Sequence, residues 1–131
     1  MIVLDASAAL AVLLNSPSAA RIAARLFVPG ETLHAPHLLD LEVAQVLRRY
    51  FLKGEMDSVR AGEAFNDFAD FPLTRYSHAF LLPRVWMLRD NCTAYDAAYI
   101  ALSEVLDATL VTCDAALASA GWHGAAVEVF A

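Results

Sequence analysis

Cysteine is scarce in this sequence. Cys92 and Cys113 stand too far apart for a CxxC redox or zinc motif, and two are too few for a disulfide-built secreted domain. A reducing, cytoplasmic setting is therefore the expectation. Glycine is also sparse: Gly30, Gly54, Gly62, Gly121 and Gly124 form neither GxxxxGK nor GxGxxG, which excludes the common glycine-rich phosphate loops. The longest uninterrupted apolar run, residues 8–14, is far short of the ~18 residues that suggest a membrane span. The opening MIVLDASAALAVLL has no basic residue before its apolar stretch and is broken by Asp5, so it reads as mature structure rather than a signal peptide. Positive charge is short as well. Nine Lys and Arg against fifteen Asp and Glu give a net charge of −6, and Lys53 is the sole lysine, which excludes a basic nucleic-acid-coating protein or a polybasic membrane binder.

What is abundant is core-forming material: 59% of the 131 residues are apolar and 18% charged, which suits one compact domain spanning residues 1–131 and excludes disorder. Short β-branched or aliphatic runs predict strands at residues 2–4, 32–35, 107–112 and 126–130. Helices are predicted at 7–14, 17–27, 37–53, 56–70, 77–89 and 93–106, with Pro83 kinking or dividing the fifth and a further short helix reaching residue 120. Residues 71–73 read as a break. Strands separated by helices require crossover connections, hence a mainly parallel sheet with helices on both faces, an α/β architecture.

Four carboxylates stand out. Asp5 and Asp114 each follow an apolar strand run and precede a helix, and in a parallel sheet all strand C-termini share the ligand-binding edge. Each is equally well explained as a helix N-cap. Asp96 completes Thr93-Ala-Tyr-Asp96, a capping pattern sufficient in itself, and Glu42 sits near a helix start among the core-type residues Val43, Ala44, Val46 and Leu47. Were the four to converge, their mutual repulsion would call for a hard cation such as Mg²⁺ or Mn²⁺. Spacing alone leaves convergence open.

Four segments, Ile2-Val-Leu-Asp5-Ala-Ser7, Leu38-Leu-Asp-Leu-Glu42-Val-Ala, Thr93-Ala-Tyr-Asp96-Ala-Ala-Tyr and Leu110-Val-Thr-Cys-Asp114, together resemble the PIN-domain nucleases, particularly the VapC-type toxins of bacterial toxin–antitoxin pairs. The resemblance spans nearly the whole chain in the family's order. It implies a twisted parallel sheet of about five strands between helices, and a metal site made of Asp5, Glu42, Asp96 and Asp114 with Ser7 and Thr112 as supporting hydroxyls. It further implies Mg²⁺-dependent (or Mn²⁺-dependent) cleavage of RNA, with 5′-phosphate and 3′-hydroxyl products. A cognate VapB-type antitoxin would lay its C-terminal segment near the active site.

Other features are assigned more modestly. Arg49 and Lys53 follow Glu42 by seven and eleven residues on one helix face, with Arg48 beside them, and are candidate RNA contacts; a solvated helix end is the plainer explanation. His34 and His37 fit a strand and a helix start better than a ligand pair. Tyr95, Tyr99, Trp86 and Trp122 could stack on bases but more often such residues pack a core; Tyr99, three residues after Asp96, is the best exception. The run 8–14 is too continuous for one layer to hide, which points to self-association as a homodimer. The rival reading is a non-catalytic PIN-like module that binds RNA or protein. A phosphoacceptor receiver domain lacks its paired acids here, and an aspartyl phosphatase lacks the second acid of a DxD motif, since Asp5-Ala-Ser7 follows the first strand.

Overall fold

In the computed structural model, residues 1–118 and 121–131 are described, and the sheet is built outward from its first strand. β1 (Ile2–Leu4) is wholly buried, and its apolar residues have core on both faces, as the centre of a parallel sheet demands. With β2 (Leu33–Pro36), β3 (Leu73–Tyr76), β4 (Thr109–Thr112) and β5 (Ala126–Val129), the order across the sheet is β3-β2-β1-β4-β5. Every pairing is parallel, with Ile2 in register with Leu33 on one side and Thr109 on the other.

Among the described residues six α-helices cover the sheet: α1 (Ala6–Leu13), α2 (Ala19–Leu26), α3 (Leu38–Leu52), α4 (Ser58–Ala69), α5 (Leu82–Met87) and α6 (Ala94–Leu106). Their burial follows from periodicity. α3 turns Leu39, Val43 and Leu47 inward at four-residue steps, while α6 is buried without interruption from Ala97 to Ser103 because it lies on β1, β2 and β4 with α5 beside it. Helices α1 to α4 pack among themselves, and α5 pairs with α6. Right-handed crossovers that run first from β1 to β3 and then back to β4 put these groups on opposite faces. The reversal falls between β1 and β4, which is where a crevice opens at the carboxyl ends of a sheet's strands.

The structure departs from the sequence-based expectations in four places. Residues 71–73, expected as a break, lead directly into β3, which pairs with β2 along its whole length. The helical stretch expected over 77–89, with Pro83 kinking or dividing it, is shorter: a 3-10 turn, Ala79–Leu81, followed by α5 with Pro83 in its first turn, where a missing N–H costs nothing. Asp107, expected to open a strand, instead ends α6 in the left-handed conformation at φ 51°, and the strand begins at Thr109. The short helix after Asp114 is a 3-10 turn over Ala115–Ala118; the last two residues of that expectation, 119 and 120, lie outside the described residues. The run 8–14 is covered largely from within, since Ala8, Ala9, Ala11 and Leu13 are buried, leaving Leu10, Val12 and Leu14 half-buried.

Candidate metal centre

The chain reversal between β1 and β4 brings Asp5 and Asp114 to the same edge. Asp5 leaves β1 in extended conformation and is the N-cap of α1, as its cap explanation required, accepting from the Ala8 N–H at 3.0 Å. It does more than cap. Ser7 donates to Oδ1 at 2.7 Å, and Thr112, fully buried at the end of β4, donates to Oδ2. Those hydroxyls in turn receive the opposing backbone: Cys113 N–H donates to Ser7 at 2.9 Å and Asp114 N–H to Thr112 at 3.0 Å. Ser7 and Thr112 are thus two hydroxyls that sew the start of α1 to the end of β4 around one carboxylate.

Asp96 lies in the first turn of α6, where its N–H donates to the Thr93 hydroxyl at 3.1 Å. Only this half of a capping box forms. Among the described residues the Asp96 carboxylate returns no bond to the Thr93 N–H, and the Thr93 hydroxyl is the group that eases its charge. Glu42, in the second turn of α3, accepts a hydrogen bond from the Tyr99 hydroxyl. Asp114 is exposed at the rim, with Oδ1 taking the Ala116 N–H at 2.9 Å.

All four acids line one cavity of about 180 Å³, together with Ala6, Ser7 and Tyr99. No Lys or Arg among the described residues lines it. Burial pushes the carboxyls of Asp5, Glu42 and Asp96 above their ordinary range, and the neighbouring carboxylates push in the same direction. For Asp5, Thr112, Ala8 and Ser7 pull the other way, as Tyr99 does for Glu42 and Thr93 for Asp96. Among the described residues no three His, Cys, Asp or Glu groups are gathered tightly enough to hold a metal ion as they stand. The carboxylates share a cavity without converging on a point, Asp5 and Glu42 being turned toward hydroxyls. The donor set is nonetheless all oxygen, uncompensated by any basic side chain, and of the kind hard divalent cations take.

The histidine pair does not form. His34 is buried in β2 with both ring nitrogens engaged at 2.8 Å, one with Tyr76 and one with Thr32, and His37 is exposed. Tyr99, the favoured candidate for base stacking, is 2% exposed and so unavailable to a base. Its bond to Glu42 was missed by sequence reasoning, although the three-residue step from Asp96 already put both on one face of α6.

The profile of the PIN domain matches residues 2–122. Ribonuclease VapC9 of Mycobacterium tuberculosis is 42% identical over 121 residues, covering 92% of this chain and 91% of that protein. Ribonuclease VapC12 of the same organism is 37% identical over 131 residues and covers both chains fully. The chain is a VapC-type PIN domain. A solved structure of Mycobacterium tuberculosis VapC20, described as a sarcin–ricin loop cleaving toxin, superposes on this PIN domain with a TM-score of 0.69 at 17% identity, covering 92% of this chain and 95% of that one, a likeness of fold. Metal dependence is general among PIN-domain ribonucleases, which accords with an acidic cavity lacking a basic side chain.

Proposed function

We propose that this PIN domain is a metal-dependent endoribonuclease, the toxin of a toxin–antitoxin pair, and that Asp5, Glu42, Asp96 and Asp114 form its Mg²⁺ (or Mn²⁺) site. The observation that carries the reading is a cavity lined by four carboxylates from four separate stretches of chain and by no basic group. An RNA phosphodiester is an anion that gains charge in the transition state, so these acids alone would repel it. A divalent cation held there would supply charge compensation, Lewis acidity toward the phosphoryl oxygens and a bound water of lowered pKa. Asp96 offers a half-buried carboxylate from the first turn of α6. Asp5 presents oxygens fixed by Ser7, Thr112 and the α1 backbone, and Asp114 closes the rim.

The RNA path has support in the distribution of basic residues. Arg25, Arg60, Arg75 and Arg84 are ion-paired, and Arg21 and Arg89 bond backbone carbonyls. Arg48, Arg49 and Lys53 have no such partner among the described residues, and all three lie at the end of α3, the helix that carries Glu42. Arg49 and Glu42 line one groove of about 380 Å³ along that helix. We assign Arg49 and Lys53 to phosphate contact.

Two apolar surfaces suit the protein partners. A groove of about 630 Å³ beside Ser7, lined by Leu10, Leu14, Val46, Tyr50 and Phe130 with Arg49 at its edge, would take the C-terminal segment of a VapB-type antitoxin. Exposed Leu41, Leu82, Trp86 and Met87 would cover one another in a homodimer, which sedimentation of wild type against Trp86→Glu tests: an unchanged mass excludes this face. No helix among the described residues is long and apolar enough to cross a membrane, and the assigned setting is the cytoplasm, where the RNA substrate is.

The deciding experiment is cleavage of total RNA with and without chelator, by wild type and Asp96→Asn. Activity is expected only for wild type with Mg²⁺ or Mn²⁺. Equal activity in the two proteins, or indifference to chelator, overturns the assigned site, and RNA binding without cleavage favours the non-catalytic module.

A further inference from the structure

Glu42 differs from the other three acids in how it is held. Asp5 is fixed by three donors, Asp114 by a backbone N–H within its own turn, and Asp96 has a short side chain on the first turn of a helix. Glu42 has the longest side chain of the set, stands on the helix across the cavity, and has no ion pair among the described residues. Among the described residues its one hydrogen bond comes from Tyr99. Tyr99 is itself almost fully buried in the most enclosed part of α6, so its hydroxyl is placed by packing rather than by solvent.

We propose that Tyr99 is a positioning residue: its hydroxyl grips Oε1 of Glu42, holds the carboxylate on the cavity, and leaves Oε2 as the oxygen that meets a cation. α6 thereby contributes one acid, Asp96, and one turn later the group that orients another. This rests on the metal-site reading above. It extends that reading from the acids to the neutral group that aims one of them, since partners of this kind set the orientation and basicity of a metal ligand.

Tyr99→Phe keeps the ring and removes only the oxygen. Mn²⁺ binding, followed by the electron paramagnetic resonance of the free ion in the absence of RNA, is expected to weaken by about 10- to 100-fold, with a comparable fall in kcat for RNA. Glu42→Asp, which keeps the charge but withdraws the carboxylate from Tyr99, should show the same loss. In a Glu42→Gln background Tyr99→Phe should add nothing, because the two groups act through one bond. Unchanged Mn²⁺ affinity in Tyr99→Phe overturns the proposal, as does an equal further loss in the Glu42→Gln background, which would mark a general structural role. Wild type that binds Mn²⁺ but cleaves no RNA refutes the nuclease reading alone, and the Mn²⁺ comparison still decides the part played by Tyr99.

Discussion

The uncompensated acids make a quantitative prediction about stability. Ionised carboxylates held in one small cavity with no basic neighbour repel, and a divalent cation that binds only the folded chain relieves that repulsion. At a concentration one hundred times its dissociation constant such an ion adds about 2.7 kcal/mol of stability. Unfolding entropies of ~2.1 cal/mol/K per residue, applied to 131 residues, give about 0.28 kcal/mol/K, so the thermal midpoint should rise by about 10 °C. Asp96→Asn removes one of the four carboxylates that line the cavity. If its affinity falls a hundredfold, the same ion concentration adds about 0.4 kcal/mol, a rise of about 1.5 °C. Calorimetric or circular-dichroism melts in Mg²⁺ and Mn²⁺, with ionic strength matched by NaCl, measure both. Equal rises in wild type and variant would mean the ions act by screening, and the cavity would lose its assignment as a cation site; no rise in wild type would be equally damaging.

Acidification supplies a second check, of opposite sign to the usual carboxylate case. Asp5, Glu42 and Asp96 bind protons more tightly folded than unfolded, so without divalent cations their contribution to stability improves as pH falls through their raised values, and levels off below ordinary carboxyl values of about 4. The urea midpoint of wild type should therefore gain on that of Asp5→Asn/Asp96→Asn as the pH is lowered from neutral, and a widening deficit would contradict the assigned burial and repulsion. Thr112→Val keeps the side-chain shape but deprives buried Asp5 of a donor and Asp114 N–H of an acceptor, and should lower stability in urea by about 1–3 kcal/mol; a neutral result would remove Thr112 from the cradle. Arg49→Ala and Lys53→Ala should each raise KM for RNA and reduce the salt dependence of log KM by about 0.7 per residue, and a slope equal to wild type would remove that residue from the RNA path.

The acids were legible because each announces itself locally. Asp5 and Asp114 end apolar strand runs, and Asp96 sits three residues after a capping threonine, so their elements could be placed without knowing the fold. Their meeting at one cavity could not, since it depends on β1 and β4 becoming neighbours across more than a hundred residues of chain. β3 was missed for a different reason. Leu73–Tyr76 is short, follows Pro72, and is only partly buried at the sheet edge, where Arg75 finds an ion pair with Asp40 at 2.9 Å instead of a core; such a strand has almost no hydrophobic pattern to read. The hold of Tyr99 on Glu42 was hidden because it joins two helices whose relative placement only tertiary packing fixes. Three residues from Asp96 indicated a shared face, but not what that face would meet.

The order in which the cavity's walls are made matters for a protein that would attack RNA. β1 and Asp5 leave the ribosome first, while Thr112, which completes the grip on Asp5, follows 107 positions later, and Asp114 later still. A nascent or truncated product ending before β4 possesses neither the second strand end nor the fourth acid. With the site assigned above, a chain that stops short of β4 should cleave no RNA even in Mg²⁺ or Mn²⁺, because half of the wall that faces the substrate has yet to be made.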